Sequence, residues 1–553
     1  MVTEKSQAAG GAPGGAAPPT GGIPYLALFT LVIGGFMAIL DGSIVNVALP
    51  KLMAIFGVGE DDVQWVMTAY LLTCGVVVPI TGYLGDRFGL KTMYIFSLAS
   101  FTGGSLLCAL AWSNSSLVAA RVIQAVGGGM IMPVSMSMLY SIVPRDKIGT
   151  ALGIWGISAM AAPSIGPTLG GYLVDHFGWQ WIFTINLPIG VAACLVSLLV
   201  LDETPKKSGL KPDWLGSLLV SAGCFALLLA LSEGQDKGWT SLYIVNLFIV
   251  AGFSLLLFVL WERAVPEPLL DIILFKNPVF AASLIGLTIL TVGMFTGIFL
   301  LPLYAQNILG YTPMQTGLLL MPMAVTMGIM MPISGRLFDR VGALPLCLVG
   351  LVITAVTTYQ LHTISYYTDT RQLQWLLVKR SVGMGLCMMP LTTAGMNTVP
   401  HFLVARASAI NNLVRQIAGS LGIAFTTYVM LHRMDFHAAR LSEGISAASP
   451  AVPGALSQLQ GFLAQAGAGS YAGAAAQYVL GLLVRREALI AGMADAFIVS
   501  TAFIVISIPL VFFLSKGRVE AQRQAEYRRY GLNAPPLGGH GPAAPAGDSP
   551  EAG

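Results

Sequence analysis

Charged residues are scarce in this chain. They make up only 10% of its 553 residues, whereas hydrophobic residues make up 55%. A soluble domain carries about 25% charged residues, which cover its water-facing surface. The scarcity therefore excludes a soluble globular protein and indicates an integral membrane protein. The apolar runs also lack the two-residue alternation of an outer-membrane barrel, so the spans are predicted to be helices.

Sequence motifs of common soluble enzymes are absent as well. The chain has no GxGxxG, GxxxxGK[ST], HExxH or GxSxG string. Without a P-loop, ATP is not expected to be the direct energy source. The six cysteines lie in apolar runs and form no CxxC pair, so neither a disulfide nor a metal site is predicted. We therefore expect no catalytic residues, no metal, no cofactor and no nucleic-acid partner.

Hydropathy predicts fourteen transmembrane helices, each with an apolar core near the length needed to cross a bilayer. The approximate cores are residues 24–50, 63–82, 92–112, 117–140, 149–173, 181–201, 214–232, 240–261, 279–303, 314–334, 343–362, 374–396, 404–430 and 490–514. The predicted fold is therefore an all-α integral membrane protein.

Basic residues are distributed unevenly between the two sets of loops. One set contains Arg87, Lys91, Arg145, Lys147, Lys206, Lys207, Lys211, Arg263, Lys276, Arg336, Arg340 and Arg406, whereas the other contains Lys51, Lys237 and Arg371. Because cytoplasmic loops are enriched in lysine and arginine, the first set is predicted to be cytoplasmic. Both termini then lie in the cytoplasm, as an even number of spans requires.

A charged octapeptide occurs twice in this apolar chain. GYLGDRFG (Gly82–Gly89) follows the second predicted span, and GRLFDRVG (Gly335–Gly342) follows the tenth. Parallel repeats of this kind are a known transporter design. Because the second and tenth spans correspond, the repeat predicts two six-helix bundles separated by two inserted helices.

This repeat sets the predicted domain boundaries. They are a disordered cytoplasmic tail at 1–22, an N-terminal bundle at 23–201, a two-helix insert at 202–265, a C-terminal bundle at 266–515 and a cytoplasmic tail at 516–553. The C-terminal bundle includes a long outer loop at about 431–488. Within that loop, residues 474–490 are predicted to form a short amphipathic helix that lies on the outer membrane face or contacts a partner. The alternative is a tolerated loop.

The octapeptides are predicted to form a cytoplasmic gate. Glycines permit a tight turn and close approach of helices. The aspartates are positioned to accept hydrogen bonds from a helix N-terminus or to pair with an arginine. The predicted gate residues are Gly82, Asp86, Arg87, Gly89, Asp339 and Arg340.

Asp41 is the only carboxylate well inside a predicted span. A charge at mid-bilayer costs at least about 2.5–3.5 kcal/mol, so such a residue indicates a functional site. Arg121 is its expected basic neighbour, and Gln124 lies on the same face of its helix. Because arginine keeps its proton, Arg121 would bias the ionisation of Asp41 rather than carry a proton. The alternatives are a structural ion pair for Asp41, and for Arg121 a bundle-stabilising or snorkelling role.

Further basic residues lie near or within spans 12 and 13. Lys379, Arg380 and Arg415 have no predicted intramembrane acid as a partner in the second half. Either carbonyls and amides satisfy them, or they line a wet cavity and attract anionic substrate. The residues proposed to line a substrate cavity are Asn46, Gln124, Trp155 and Arg415.

Several motifs resemble those of the major facilitator superfamily, specifically its fourteen-helix drug:proton antiporters of the EmrB/QacA type. They are the two octapeptides, LDGSIVNVALP with Asp41, the string Arg121–Ala125, the string Gly166–Gly171 and WQWIFTINLPIG at Trp179–Gly190. The chain departs from the family pattern at Ser43, Gly85, Leu90, Ala125 and Gln180. The resemblance covers residues from about 25 to 515.

This resemblance implies export by alternating access in the cytoplasmic membrane, driven by the proton motive force. It implies proton coupling by Arg121 with Asp41, and a sealed hinge between bundles at Gly166, Pro167, Gly170 and Gly171, which would continue the small-residue seam of Gly149, Gly153 and Gly156. In a cell with two membranes it implies a periplasmic adaptor and an outer-membrane channel as partners. With one intramembrane acid, we expect neutral, weakly acidic or monocationic lipophilic substrates. The alternatives are a dedicated exporter of one metabolite, antibiotic or fatty acid, and a non-transporting receptor or scaffold.

Overall fold

The fold is built from α-helices, as the apolar runs predicted. The computed structural model describes residues 24–144, 147–206, 213–265, 268–444, 451–468 and 471–530, and these ranges contain no β-strand. The predicted tail at 1–22, residues 531–553 of the second tail, and Arg145, Lys207 and Lys211 lie outside them. The α-helices are α1 (Tyr25–Phe56), α2 (Glu60–Phe88), α3 (Leu90–Ala109), α4 (Asn114–Ile142), α5 (Ile148–His176), α6 (Trp181–Thr184), α7 (Asn186–Val200), α8 (Trp214–Lys237), α9 (Leu242–Ala264), α10 (Pro278–Asn307), α11 (Pro313–Val341), α12 (Ala343–Gln360), α13 (Thr370–Asn397), α14 (Val404–Gly444), α15 (Ala451–Leu463), α16 (Ala472–Ser507) and α17 (Lys516–Arg529).

Eleven helical segments in the described ranges are long and apolar enough to cross a membrane, and they cover eleven of the fourteen predicted cores. The other three cores coincide with α5, α13 and α14. The last two contain polar residues, including Arg380, Asn411 and Asn412, which are buried against other helices. Such residues lower the hydropathy of a helix without exposing charge to lipid. Length and composition alone therefore do not establish fourteen spans.

The helices pack chiefly in two sets. In the first set α1 packs on α5 and α7, and α4 packs on α2 and α3. In the second set α10 packs on α13, α14 and α16, and α12 packs on α13. The two sets meet mainly where α5 contacts α11 and where α2 contacts α14. Helices α8 and α9 pack on each other, and α8 also contacts α2 and α14.

Much of the predicted outer loop at 431–488 is helical within the residues that the structure describes. Helix α14 continues to Gly444, and α16 begins at Ala472 and runs without interruption into the last predicted span. Asp495 of α16 joins the two helices, since its Oδ2 accepts from Arg433 Nε at 2.6 Å and contacts His437 Nε2 at 2.7 Å. The short helix suggested at residues 474–490 lies within α16. Hydropathy predicted no span there, because alanine favours a helix without making it apolar enough to cross a membrane.

Each octapeptide ends at a tight turn between two helices. Gly89, between α2 and α3, has φ of 90°, and Gly342, between α11 and α12, has φ of 85°. Residues with a side chain rarely adopt backbone φ angles in this left-handed region, so glycine is required at both turns. The predicted turns are thus confirmed. We call the end of the molecule that carries these two turns the motif end.

Candidate functional site

A fully buried polar cluster surrounds Asp41 in the first set of helices. Asp41 lies on α1, Arg121 and Gln124 lie on α4, and all three side chains have 0% exposure. One turn of α4 separates Arg121 from Gln124, so both reach the same carboxylate. Close packing of α3 on α4 supports this arrangement, because a side chain at Gly104 would overlap Gln124.

The Asp41 carboxylate accepts hydrogen bonds from three side chains. Arg121 Nη1 donates to Oδ2. Gln124 Nε2 donates to Oδ1 at 2.8 Å, and Asn186 Nδ2 of α7 donates to the same oxygen at 3.0 Å. Ser105 Oγ of α3 accepts from the same Gln124 nitrogen at 2.7 Å. Side chains of α4 and α7 therefore donate to one carboxylate of α1, and Ser105 of α3 holds one of these donors in place.

Arg121 makes further contacts that fix its position. Its Nε donates to the Val66 carbonyl at 3.1 Å, and its Nη1 also donates to Gln124 Oε1 at 2.7 Å. The guanidinium lies over the Tyr70 ring, 4.1 Å from the centroid. The predicted proximity of Asp41 and Arg121 is confirmed, and snorkelling of Arg121 is excluded because its side chain is inside the helix packing.

Sequence reasoning missed Asn186, Ser105 and Tyr70 in this cluster. Asn186 had a signal, since it is a polar residue in an apolar run and lies in the quoted string Trp179–Gly190. Tyr70 and Ser105 had none, because aromatic and small polar residues are common in membrane helices. Only the packing of α2 and α3 against α4 brings them to the site.

A cavity lies at the contact between the two sets of helices, and we call it the interface cavity. Its lining is Met136, Leu152, Trp155, Gly156, Leu287, Met331, Met388, Met389, Thr392, Asn411, Asn412 and Arg415. Its volume is about 30 Å³, room for a few waters at most. The lining comes from α4 and α5 on one side and from α10, α11, α13 and α14 on the other. Separation of the two sets would therefore enlarge it.

The four predicted cavity residues do not share one site. Trp155 and Arg415 line the interface cavity. Gln124 instead belongs to the Asp41 cluster, and Asn46 is exposed on α1, with its amide 3.5 Å from the Gly42 carbonyl. The prediction was therefore wrong in grouping them. Spacing along one helix does not show which helix faces which.

Arg380 is the second-half counterpart of Arg121, but its environment differs. It is 2% exposed on α13, where its Nη2 donates to the Gly293 carbonyl at 2.6 Å and its Nε to Thr358 Oγ1 at 3.1 Å. A side chain at Gly297 would overlap the guanidinium. Neutral backbone and hydroxyl oxygens thus satisfy Arg380, which settles one of the two predicted alternatives for this residue. Lys379, beside it, is exposed.

At the motif end, the second octapeptide crosses between the two sets of helices. Asp339 Oδ2 of α11 accepts from the Thr150 backbone N–H at 3.3 Å and from Thr150 Oγ1 at 3.1 Å. Thr150 lies in the first turn of α5, so the carboxylate binds a helix N-terminus, as predicted. A side chain at Gly335 would overlap the Gly149 carbonyl. The motif end is therefore closed at this contact.

The first octapeptide makes the corresponding contact on the other side of the interface. Asp86 Oδ2 of α2 lies 3.7 Å from Arg406 Nε of α14. A Cβ at Gly82 would lie 3.1 Å from the Arg406 Cα. Both predictions for the repeat, pairing of the aspartate and close approach at the first glycine, are confirmed in geometry. Arg87 Nη1 donates to Tyr83 Oη within its own helix at 2.6 Å, and Arg340 is exposed.

The small-residue seam of α5 divides into two contacts. Gly149, Gly153 and Gly156 face α11, where side chains would overlap Asp339, Met331 and Pro332. Gly166 and Gly170 instead face α1, where side chains would overlap Ser43 and Ile44. Pro167 and Gly171 lie in the same helical segment. The predicted single seam between bundles is therefore wrong for Gly166 and Gly170, which pack within the first set.

Comparison with known proteins identifies the family. The profile of the Major Facilitator Superfamily matches residues 31–423. The chain belongs to the major facilitator superfamily. Its members are membrane transporters. The described residues contain no group of three or more histidine, cysteine, aspartate or glutamate side chains placed to hold a metal ion.

Two curated relatives and one solved structure support this assignment. The chain is 36% identical over 516 residues to the uncharacterized MFS-type transporter YhcA of Bacillus subtilis strain 168, covering 92% of this chain and 96% of the relative. It is 31% identical over 434 residues to the multidrug export protein EmrB of Escherichia coli strain K12, covering 78% and 85%. The resemblance to EmrB-type exporters is thereby confirmed. The proton:xylose symporter XylE shares the fold, with a TM-score of 0.57, 12% identity, and coverage of 90% and 98%.

Proposed function

We propose that this protein is a proton-coupled exporter of lipophilic compounds that works by alternating access in the cytoplasmic membrane. The observation that carries the proposal is the Asp41 cluster, a completely buried carboxylate held by donors from α4 and α7. Burial of an ionisable group in a membrane is costly and indicates function. Similarity to a relative named as a multidrug export protein supports the direction of transport.

In the proposed cycle, Asp41 takes a proton from the outer side as substrate leaves and releases it to the cytoplasm. In the present arrangement Arg121 and the two amides, those of Gln124 and Asn186, all donate to the carboxylate. Because Arg121 and Gln124 both lie on α4, a shift of α4 relative to α1 would weaken two bonds to Asp41 together. Protonation then becomes favourable. Arg121 keeps its proton throughout and acts through its distance from Asp41.

Helix α5 connects the proton site to the interface cavity. Trp155 of α5 lines the cavity. One turn further, Ser158 lies against Gly35 of α1, and the Ala162 carbonyl accepts from Ser43 Oγ at 3.3 Å. Ser43 lies two residues from Asp41. A displacement of α5 by substrate would therefore reach α1 through packed contacts, which is the route we propose for coupling.

The two octapeptides serve as the gate in this proposal. Their contacts tie α11 to α5 and α2 to α14, so the present arrangement is closed at the motif end. We place the motif end in the cytoplasm, because basic residues concentrate in the loops predicted there. Both termini are then cytoplasmic. The G-P-x-x-G-G string contributes a flexible contact between α5 and α1 rather than a seal between the sets.

The proposed topology has fourteen spans. The N-terminal bundle comprises residues 23–201, the insert 202–265 and the C-terminal bundle 266–515. The packing of α8 on both α2 and α14 supports an inserted pair placed beside the two bundles. The helical extensions of α14 and α16 would lie outside the membrane. In a cell with two membranes we propose that they face a periplasmic adaptor that leads to an outer-membrane channel.

The driving force available depends on substrate charge. One elementary charge crossing 100 mV is worth about 2.3 kcal/mol. Exchange of one proton for a neutral molecule moves one charge, and exchange for a monovalent cation moves none. Exchange for a monovalent anion moves two charges and gains about 4.6 kcal/mol per 100 mV. With one carboxylate to exchange, the energetics favour neutral or acidic lipophilic substrates.

A dedicated exporter of a single metabolite, antibiotic or fatty acid is the second candidate. The polar groups of the lining, Asn411, Asn412 and Arg415, favour it, because fixed hydrogen-bonding groups select a particular ligand. The four methionines in the lining favour a broad range instead, since methionine adapts to different ligands. A resistance panel of unrelated dyes and biocides separates the two, because a dedicated exporter protects against few of them.

Transport in proteoliposomes tests the proposal. Purified full-length protein would be reconstituted with a pH-sensitive dye inside, and lipophilic compounds of different charge would be added under an imposed pH gradient. We expect compound accumulation together with proton movement, and loss of both when nigericin collapses the gradient. Transport that persists without the gradient would contradict proton coupling. Absence of any substrate-dependent proton movement would favour a receptor or scaffold.

A further inference from the structure

Arg415 is a cation in the interface cavity without an acidic partner. It lies on α14 and lines the cavity together with Asn411 and Asn412. Its Nη2 donates to Asn412 Oδ1. Within the part of the chain that the structure describes, Arg415 forms no ion pair with a carboxylate, unlike Arg121, Arg406 and Arg433. Part of its charge therefore remains available to a ligand in the cavity.

The surrounding amides position this guanidinium rather than neutralise it. Asn412 Nδ2 donates to the Ser408 carbonyl at 2.9 Å, which leaves Oδ1 directed at Arg415. Asn411 Nδ2 donates in the same way to the Ala407 carbonyl at 3.2 Å. A neutral amide oxygen occupies one of the five N–H donors of an arginine. The others suit a planar, bidentate acceptor such as a carboxylate.

Arg380, in the same half of the molecule, is an arginine with a structural role and provides a comparison for Arg415. It is 2% exposed and donates to a backbone carbonyl and a threonine hydroxyl. It does not line the cavity. The contrast separates two cations that the sequence could not distinguish, because only Arg415 combines a single neutral partner with a cavity.

The rest of the cavity suits an apolar molecule. Methionine and leucine side chains line most of it, and Trp155 lies on the opposite set of helices from Arg415. The Trp155 Nε1 donates to Ser135 Oγ at 3.1 Å, so the indole is held with its polar atom already bonded. A ligand with one anionic end and an apolar body would contact both sets of helices at once.

We infer that the interface cavity, enlarged when the two sets of helices separate, binds amphiphilic organic anions, with the ligand carboxylate on Arg415 and the apolar body among the methionines and Trp155. This inference rests on the proposed export function and names its substrate class. Arg415 binds the substrate, whereas Asp41 accepts and releases the proton. The two charges belong to separate clusters, so each is removable without loss of the other.

A pair of probes with the same body tests the charge preference. Pyrenebutyrate carries a carboxylate, and pyrenebutanol replaces it with a hydroxyl. Binding to the purified full-length protein in detergent would be measured by quenching of tryptophan fluorescence, corrected for partition into empty micelles. We expect the wild type to bind the acid at least tenfold more tightly than the alcohol, since a hydrogen bond to a charged group typically contributes that much.

Variants then assign the preference to one side chain. Arg415→Gln is expected to weaken pyrenebutyrate binding about 10- to 100-fold and to change pyrenebutanol binding less than threefold. Arg415→Lys is expected to retain part of the preference, because it keeps the charge but loses the bidentate geometry. Arg371→Gln is the matched control, since Arg371 is exposed at the start of α13 and its loss should change neither constant.

Three results of the binding measurement would overturn the inference. They are a wild type without preference for the acid, an unchanged acid affinity in Arg415→Gln, and equal weakening of both probes. The wild-type comparison stands even if the variant fails to fold. The measurement uses no pH gradient, so a failure of proton coupling in proteoliposomes would leave it unaffected. Conversely, gradient-driven export of neutral compounds without acid preference would retain the exporter and reject this site.

Discussion

Replacement of Asp41 by asparagine should separate the stability of the buried cluster from its function. The carboxylate has 0% exposure and accepts from Arg121, Gln124 and Asn186. Asparagine keeps the shape but offers one oxygen and one NH2 group. Whichever way the amide turns, its NH2 group faces a donor, because both carboxylate oxygens are hydrogen-bond acceptors in the present structure. At least one donor at the site is then unsatisfied.

The larger cost comes from the charge left on Arg121. Removal of one partner of a buried ion pair typically costs about 3–5 kcal/mol, because the other charge remains uncompensated. The Val66 carbonyl and the Tyr70 ring offset part of this cost. We therefore expect Asp41→Asn to lower the free energy of unfolding by about 3 kcal/mol. Addition of Arg121→Gln should recover much of that loss, since it removes the unpaired charge.

Transport should not recover with stability. Neither the single nor the double variant has a carboxylate at this position, so both should lose gradient-driven export by at least 100-fold. Unfolding would be followed by thermal denaturation in detergent, and export by the proteoliposome assay. Asp236→Asn is the matched control, because Asp236 is exposed at the end of α8.

Two outcomes would refute this reasoning. Full gradient-driven export by Asp41→Asn would show that the proton is carried elsewhere. A double variant less stable than either single variant would show that the pair does not behave as two compensating buried charges. A double-mutant cycle gives the coupling energy directly.

Three further predictions concern the motif end and the second amide. Gly335→Ala should slow export at least tenfold, because its methyl group overlaps an α5 carbonyl when the motif end closes; Gly103→Ala, with open space around it, should be silent. Asp86→Asn should reduce turnover several-fold while substrate affinity changes less than twofold, since the pair with α14 belongs to the gate and not to the cavity; a large affinity loss at normal turnover would contradict this. Asn186→Leu should lower the free energy of unfolding by about 1–3 kcal/mol through the lost hydrogen bond to a charged group, measured by thermal denaturation against Asn246→Leu on the exposed face of α9.

The sequence predicted the helices well because hydropathy reflects an energetic requirement that each membrane-spanning segment satisfies independently of its neighbours. A chain in lipid must satisfy its backbone within each segment, so an apolar run of sufficient length becomes a helix whatever surrounds it. Residues 431–488 fall outside this rule, because the apolar run there is too short to cross a membrane. Helix formation there depends on alanine-rich composition and on pairing of α14 with α16, for example through Asp495, rather than on apolar length.

The sequence predicted part of the candidate site. There is a physical reason why some of its residues were predictable and others were not. Asp41 and Arg121 were predictable as partners because two buried charges of opposite sign in a membrane must find each other or be neutralised. Ser105 and Tyr70 were not, because small polar and aromatic residues are common in membrane helices. The four residues proposed for one cavity lie at different sites in the structure. Nothing in spacing along a helix shows which neighbour that helix faces.

The sequence by itself determined the class of protein, the approximate positions of its helices and the one carboxylate whose burial demands a partner. The sequence also determined the tight turn at the end of each octapeptide, because a backbone position with positive φ requires glycine locally. Only the tertiary structure decided that α5 meets α11 through Gly149, Gly153 and Gly156, and meets α1 through Gly166 and Gly170. It alone decided that Arg380 is satisfied by neutral oxygens while Arg415 faces a cavity. Those distinctions depend on which helices pack together, and packing is a property of pairs of helices rather than of either sequence alone.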